Sequence, residues 1–197
     1  MKMNLPNKLT MVRVFLIPIM MFLYMASFIP YGYGKIAALV VFIIASFTDF
    51  LDGYIARKYN IVTDFGKFAD TIADKMLTFA ALFMFMVDGT IPAPYGVIFA
   101  AICLTRDFIV LGVKSLVASK GSVVGSEKIG KVKFFISIIA YPLGFLVSAL
   151  ASFGVVGVLM LVLNIIFYVL IGVTGLLTVY SGIDYLVKYK DIVLSDM

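Results

Sequence analysis

The chain reads as an all-α integral membrane protein: six transmembrane helices in a single domain over residues 1–197, with a short interfacial segment at the N-terminus. Three observations predict this. Hydrophobic residues make up 63% of the chain and charged residues only 14%, too few for the charged shell of a soluble domain of this size. The mean hydropathy is +1.12. The apolar residues also come in blocks too long for a soluble core. Residues 134–183 form a run of fifty without a charge. One crossing takes about 20 apolar residues, so this run holds two.

In chain order, no cleavable signal is expected at the N-terminus, because the apolar run after Arg13 is itself long enough to span. Pro6 followed by polar residues suits the start of a helix lying on the membrane surface. Asn7, Thr10 and Arg13 are expected to form a short interfacial element there, over a site formed by Asp49, Asp52, Asp70 and Asp74. The spans are then expected at residues 9–29, 35–59, 66–87, 93–117, 129–151 and 155–187, with the last break near Ser152, Phe153 and Gly154. The three middle spans reach full length only by including charge: Asp49 and Asp52, then Asp70, Asp74 and Lys75, then Arg106 and Asp107.

Lys and Arg set the sidedness. Lys2, Lys8 and Arg13 precede span one, and Arg57, Lys58, Lys67 and Lys75 flank the loop between spans two and three. Lys114, Lys120, Lys128, Lys131 and Lys133 flank the next loop on that side, and Lys188 and Lys190 follow span six. The opposite side has only Lys35. A multi-pass protein of the cell membrane with both termini in the cytoplasm is expected. The net charge of +5 is then a topology signal and an attraction for anionic membrane lipid, and there is no soluble basic domain to bind nucleic acid.

The single cysteine, Cys103, rules out a disulfide within the chain, and the absence of histidine rules out a histidine base or a zinc site of the imidazole kind. A metal site here needs oxygen ligands, which favours magnesium, manganese or calcium.

Such ligands exist. Asp49 and Asp52 stand at i and i+3 near the end of span two, and Asp70 and Asp74 at i and i+4 near the start of span three. Either spacing puts both carboxylates on one helix face. A short loop joins the two helices, so they are expected side by side and antiparallel, with the four aspartates converging near the cytoplasmic boundary. Four close carboxylates in a membrane are costly, and two divalent cations would neutralise them. Paired cations are a recurring device for phosphoryl displacement. Gly53 and Ala56 lack bulk, so a ligand has room to press on that helix. Arg57 offers a planar fork of donors to a phosphate. One span-end aspartate is ordinarily an interfacial charge, and a small residue ordinarily marks helix packing. Two paired spacings with a glycine and an arginine interleaved resist that reading.

The pattern D-x2-D-G-x2-A-R-x8-G-x3-D-x3-D, met by Asp49, Asp52, Gly53, Ala56, Arg57, Gly66, Asp70 and Asp74, resembles the signature of the CDP-alcohol phosphotransferase family. It covers 26 residues, and the six-span layout extends the similarity over the chain. The resemblance implies that Asp49, Asp52 and Asp70 hold two Mg2+ or Mn2+ ions, and that Asp74 touches a metal and acts as the catalytic base. It implies that the nucleotide of a CDP-linked lipid packs on Gly53 and Ala56. It further implies a homodimer with active sites open to the cytoplasm and the lipid.

Within the family, three features resemble the phosphatidylglycerophosphate-synthase subgroup, which joins CDP-diacylglycerol to sn-glycerol 3-phosphate. The opening with Asn4, Pro6, Asn7, Thr10 and Arg13 resembles N-x-P-N-x-x-T-x-x-R, and assigns Asn7 and Thr10 to the CDP-lipid. Ala73, Asp74 and Lys75 resemble the A-D-K ending of the signature. Arg106, Lys114, Lys131 and Lys133 are the candidates for the acceptor phosphate, an arginine within a span being costly unless it is paired or lines a wet cavity. Its bland reading is a structural pair with Asp107 or a site aspartate. Asp107, Lys114 and Phe134 replace the glutamate, arginine and threonine usual there, and Thr71 and Ile72 replace Pro and Leu. These departures bear on the acceptor and not on the reaction class.

Two alternatives remain. The same chemistry could serve inositol phosphate, serine or phosphatidylglycerol as acceptor. A cation transporter could also use membrane carboxylates. Against it, the aspartates gather at one membrane side and Arg57 beside them repels cations.

Overall fold

The computed structural model describes residues 4–29, 32–59, 61, 63–119 and 128–190, without the side chains of 64, 67, 128 and 131. Among the described residues six α-helices follow one another: α1 Leu5–Met25, α2 Tyr33–Lys58, α3 Asp64–Val87, α4 Ala93–Ser119, α5 Lys128–Ser152 and α6 Val158–Lys188. The described residues contain no strand. The lysines at 2 and 120 lie outside the described residues.

The start of α1 is fixed locally. The Asn4 side chain caps it by accepting the Asn7 backbone N–H at 3.1 Å, and Pro6 sits in the first turn, where a missing N–H costs nothing. The polar residues expected to form a separate interfacial segment are therefore the first turns of α1 itself. Its buried face continues unbroken through Pro6, Thr10, Arg13, Ile17, Met20 and Tyr24, at steps of three and four. Elsewhere the chain turns on glycine. Gly32 caps α2 with φ 75°, and a Cβ there would stand 2.9 Å from Ser152 Cβ. The break between α5 and α6 falls at residues 153–157, with Gly154 at φ 73°.

Among the described residues five helices are long and apolar enough to cross a membrane: α1, α2, α4, α5 and α6. Helix α3 matches them in length at 24 residues but not in composition. Its first half carries Asp64, Lys67, Asp70, Asp74 and Lys75, which leaves only residues 76–87 free of charge. The sixth expected crossing is thus the helix that gives half its length to polar chemistry.

Two compact units make up the chain. The first comprises Met1–Ala93 and Tyr141–Asn164. Here α1 packs against both α2 and α3, while contacts between α2 and α3 themselves are sparse. These two helices are antiparallel as expected, but they are not side by side. Arg13 of α1 stands between their acidic faces and ties them together through ion pairs. Away from that end, Tyr24, Phe42, Phe85, Tyr141 and Phe145 form an aromatic core. Phe85 and Phe145 are fully buried.

Beyond this core lies a polar clamp that the sequence reading missed. Lys35 donates to Asp88 at 2.8 Å, the hydroxyls of Tyr24 and Ser148 both donate to Asp88, and the Thr90 N–H caps its other oxygen at 2.9 Å. One carboxylate thereby joins α1, α2, the end of α3 and α5.

In the second unit, Pro94–Ala140 with Ile165–Met197, α4 and α6 run parallel. Phe99 lies against Gly175, Arg106 against Ser181 and Gly182, and Val110, Val113 and Val117 cluster with Tyr185. Cys103 is buried.

Candidate active site

The signature residues meet at one end of the first unit. Carboxylate oxygens of Asp49, Asp52 and Asp70 lie within 4.8 Å of one another, close enough to hold one cation in common. An all-carboxylate oxygen set suits a hard divalent ion and no soft one. Asp74 sits one turn further along α3, outside that triad, with its carboxylate 3.7 Å from the Lys75 ammonium. Its charge still acts on Asp49.

Arg13 occupies the centre. Its Nη1 lies 2.7 Å from Asp49 Oδ1 and 2.9 Å from Asp70 Oδ1, and its Nη2 lies 2.6 Å from Asp52 Oδ2. The side chain is fully buried. Thr10, one turn earlier on the same face, puts its hydroxyl 3.1 Å from Asp52 and 3.2 Å from the Pro6 carbonyl. From the sequence Arg13 reads as a topology marker and as part of an interfacial element over the site, not as a partner of the aspartates. The available signal was its spacing: it falls in step with the apolar residues of the buried stripe.

Beside the triad opens a cavity of about 280 Å3, near the lower end of ligand pockets, which run from about 300 Å3 upwards. It is lined by Asn7, Thr10, Gly53, Ala56 and Arg57, all singled out from the sequence, and by Asp52 and Asp70 of the triad. Pro6, Ile61, Thr63 and Gly66 also line it and were not assigned to the ligand.

A clasp closes its rim. Asn4 Nδ2 donates to the Ile61 carbonyl at 3.0 Å, and Thr63 Oγ1 donates to Asn7 Oδ1 at 3.2 Å. Thr63 also caps α3 by accepting the Gly66 N–H at 3.0 Å. Gly66 is small for this purpose, since a Cβ there would stand 2.6 Å from Asn7 Oδ1 and 2.9 Å from Thr63 Oγ1. Gly53 plays a looser part: a Cβ there would lie 3.3 Å from Arg57 Nη1, so the guanidinium folds back over the bare backbone.

The acceptor candidates belong to the second unit. Arg106 donates through Nε to Ser181 at 3.1 Å and through Nη1 to Asp107 at 3.0 Å, which is the structural pairing weighed as its bland reading. Lys114 is exposed two turns further along α4, and Lys133 is half-buried near the start of α5. The Lys131 side chain lies outside the described residues.

Comparison with known proteins agrees with this constellation. The sequence model of the CDP-alcohol phosphatidyltransferase family matches residues 3–179. A relative from Bacillus subtilis (strain 168), named CDP-diacylglycerol–glycerol-3-phosphate 3-phosphatidyltransferase, is 40% identical over 149 residues, covering 70% of this chain and 74% of that protein. A relative of the same name from Rickettsia felis is 33% identical over 182 residues, covering 92% of this chain and 93% of that one. Another of that name, from Salmonella choleraesuis, is 36% identical over 135 residues, covering 68% and 71%. With three of its signature carboxylates clustered, two of them on the wall of one cavity, and a match over most of its length, the chain belongs to the CDP-alcohol phosphatidyltransferase family.

Proposed function

We propose that the protein transfers the phosphatidyl group of CDP-diacylglycerol to sn-glycerol 3-phosphate, making phosphatidylglycerophosphate and CMP for phospholipid synthesis. The observation that carries this is the cluster of Asp49, Asp52 and Asp70, two of which, Asp52 and Asp70, line a cavity together with Gly53, Ala56 and Arg57. The names of the relatives point to the same substrates.

The residues then divide the work. The CDP moiety enters the cavity, its nucleotide resting on Gly53 and Ala56 and its diphosphate within reach of Arg57. Asn7 and Thr10 line the same cavity. Asp49, Asp52 and Asp70, with Asp74, are the residues to hold two Mg2+ or Mn2+ ions. When bound, such ions supply positive charge to the diphosphate and to the departing CMP. The acceptor hydroxyl attacks the phosphorus that bears the diacylglycerol, its proton passes to the Asp74 carboxylate, and the bond from that phosphorus to CMP breaks. Arg106, Lys114, Lys131 and Lys133 are assigned to the dianionic phosphate of the acceptor, which requires Arg106 to share its present partners.

The lipid keeps its tails in the bilayer, which fits a site at the polar end of the helices. Both termini and the site face the cytoplasm in this reading, supported by the Lys and Arg distribution, with α3 counted as a crossing helix. The protein acts as a single domain over residues 1–197 and as a homodimer. The family match, residues 3–179, runs through both units and supports the single domain.

Acceptor competition is the test. Purified protein is given CDP-diacylglycerol, Mg2+ or Mn2+, and labelled glycerol 3-phosphate, and label is followed into lipid. Unlabelled inositol phosphate, serine and phosphatidylglycerol should compete weakly. Stronger competition by one of them would reassign the acceptor and leave the chemistry in place.

A further inference from the structure

We propose that Arg13 is a resident counter-charge of the aspartate triad, competing with divalent cations for the same carboxylate oxygens and thereby setting their affinity. This rests on reading the triad as the metal site. The geometry is direct. Two nitrogens of one guanidinium lie 2.6–2.9 Å from oxygens of all three aspartates. A divalent ion takes carboxylate oxygens at about 2.0–2.6 Å. An ion bound to the oxygens that Arg13 holds would lie within about 5.5 Å of the guanidinium nitrogens, and like charges at that range repel. The ion pairs and the cation cannot both keep full strength.

Arg13 is also held in place. Its side chain is fully buried, and its Nε finds no acceptor among the described residues, so nothing but the triad balances it. On one side Asn4 and Asn7 fasten the start of α1 to Ile61 and Thr63, and on the other Tyr24 is bound to Asp88. An arginine that cannot withdraw far remains a competitor. The arrangement has a use. Three clustered carboxylates with no cation repel one another, Asp52 being buried and Asp49 and Asp70 partly exposed, and Arg13 lets them fold together before any metal arrives.

The test measures metal affinity, which a merely structural arginine would not tighten on removal. Mn2+ binding to purified protein is counted from the free-ion EPR signal, in wild type and Arg13→Gln, with thermal unfolding followed in chelator and in Mn2+. The variant should bind Mn2+ at least tenfold more tightly, unfold at lower temperature in chelator, and gain more from Mn2+ than wild type does. Equal or weaker binding by the variant, with wild type binding normally, overturns the counter-charge and leaves the metal site standing. No Mn2+ binding by wild type overturns both. Should Arg13→Gln fail to fold, wild type decides. The chain has only three arginines, Arg13, Arg57 and Arg106, so 15N-arginine spectra can be assigned with Arg57→Lys and Arg106→Lys. Adding Mg2+ should expose the Arg13 Nη protons to exchange with water, and unchanged protection would overturn the proposal.

Discussion

At the scale of single residues, two glycines of the signature separate cleanly. A methyl group at Gly66 collides with the Asn7 and Thr63 oxygens that close the cavity rim, whereas one at Gly53 meets only the far end of the flexible Arg57 side chain. Gly66→Ala should therefore raise the KM for CDP-diacylglycerol severalfold more than Gly53→Ala, in steady-state assays with glycerol 3-phosphate saturating. Equal effects would contradict the clasp. Asp74→Asn keeps the size of the side chain and removes the base. The loss should fall on kcat, by about 100- to 10,000-fold, the usual worth of a positioned base. The clustering of Asp49, Asp52 and Asp70 was legible in the sequence because the i,i+3 spacing puts the first two on one helix face and a short loop returns the chain to them. Asp74, expected in the same cluster, lies outside it. Arg13 was not legible, because a basic residue before a first span ordinarily marks topology. Its partners come from two other helices, and no local pattern encodes that meeting.

At the scale of elements, α1 is the part that sequence reasoning placed least well. Its polar first turns suggested a separate surface segment. The cap at Asn4 and the continuous stripe from Pro6 to Tyr24 make it one helix, wedged between α2 and α3. The polar clamp at its other end was hidden for the same reason, since Tyr24, Lys35, Asp88 and Ser148 are scattered in sequence. Burial alone would push the Asp88 carboxyl up. The Lys35 ammonium, the Ser148 and Tyr24 hydroxyls and the Thr90 N–H outweigh it and hold the carboxyl below its ordinary value. A lowered carboxylate contributes stability that is complete above its unfolded pKa of about 3.9 and is lost as pH falls through the folded value. Asp88→Asn should cost about 1–3 kcal/mol near neutral pH, because it leaves Lys35 without its counter-ion. It should also flatten the acid limb of thermal stability plotted against pH. An unchanged acid limb would mean that the clamp does not set it.

At the scale of the whole molecule, the sequence read the helix count and most boundaries correctly, because apolar run length is a strong signal in a membrane protein. Sidedness follows from charge bias and is open to direct test. Cys103 is buried, so the background for thiol labelling is low. Val156, 85% exposed in the turn before α6, and Tyr59, 64% exposed beside the site end of α2, lie toward opposite ends of the first unit. In intact cells an impermeant maleimide should label Val156→Cys but not Tyr59→Cys, and permeabilisation should admit both. The reverse pattern would invert the orientation.

The central claim is tested most directly by CMP release. Purified protein is supplied with CDP-diacylglycerol and Mn2+, glycerol 3-phosphate is added, and CMP is measured beside the lipid product. The account predicts negligible release until glycerol 3-phosphate is present, then one CMP for each phosphatidylglycerophosphate, with Asp74→Asn nearly silent. No release with any acceptor, from folded protein that binds Mn2+, would contradict it.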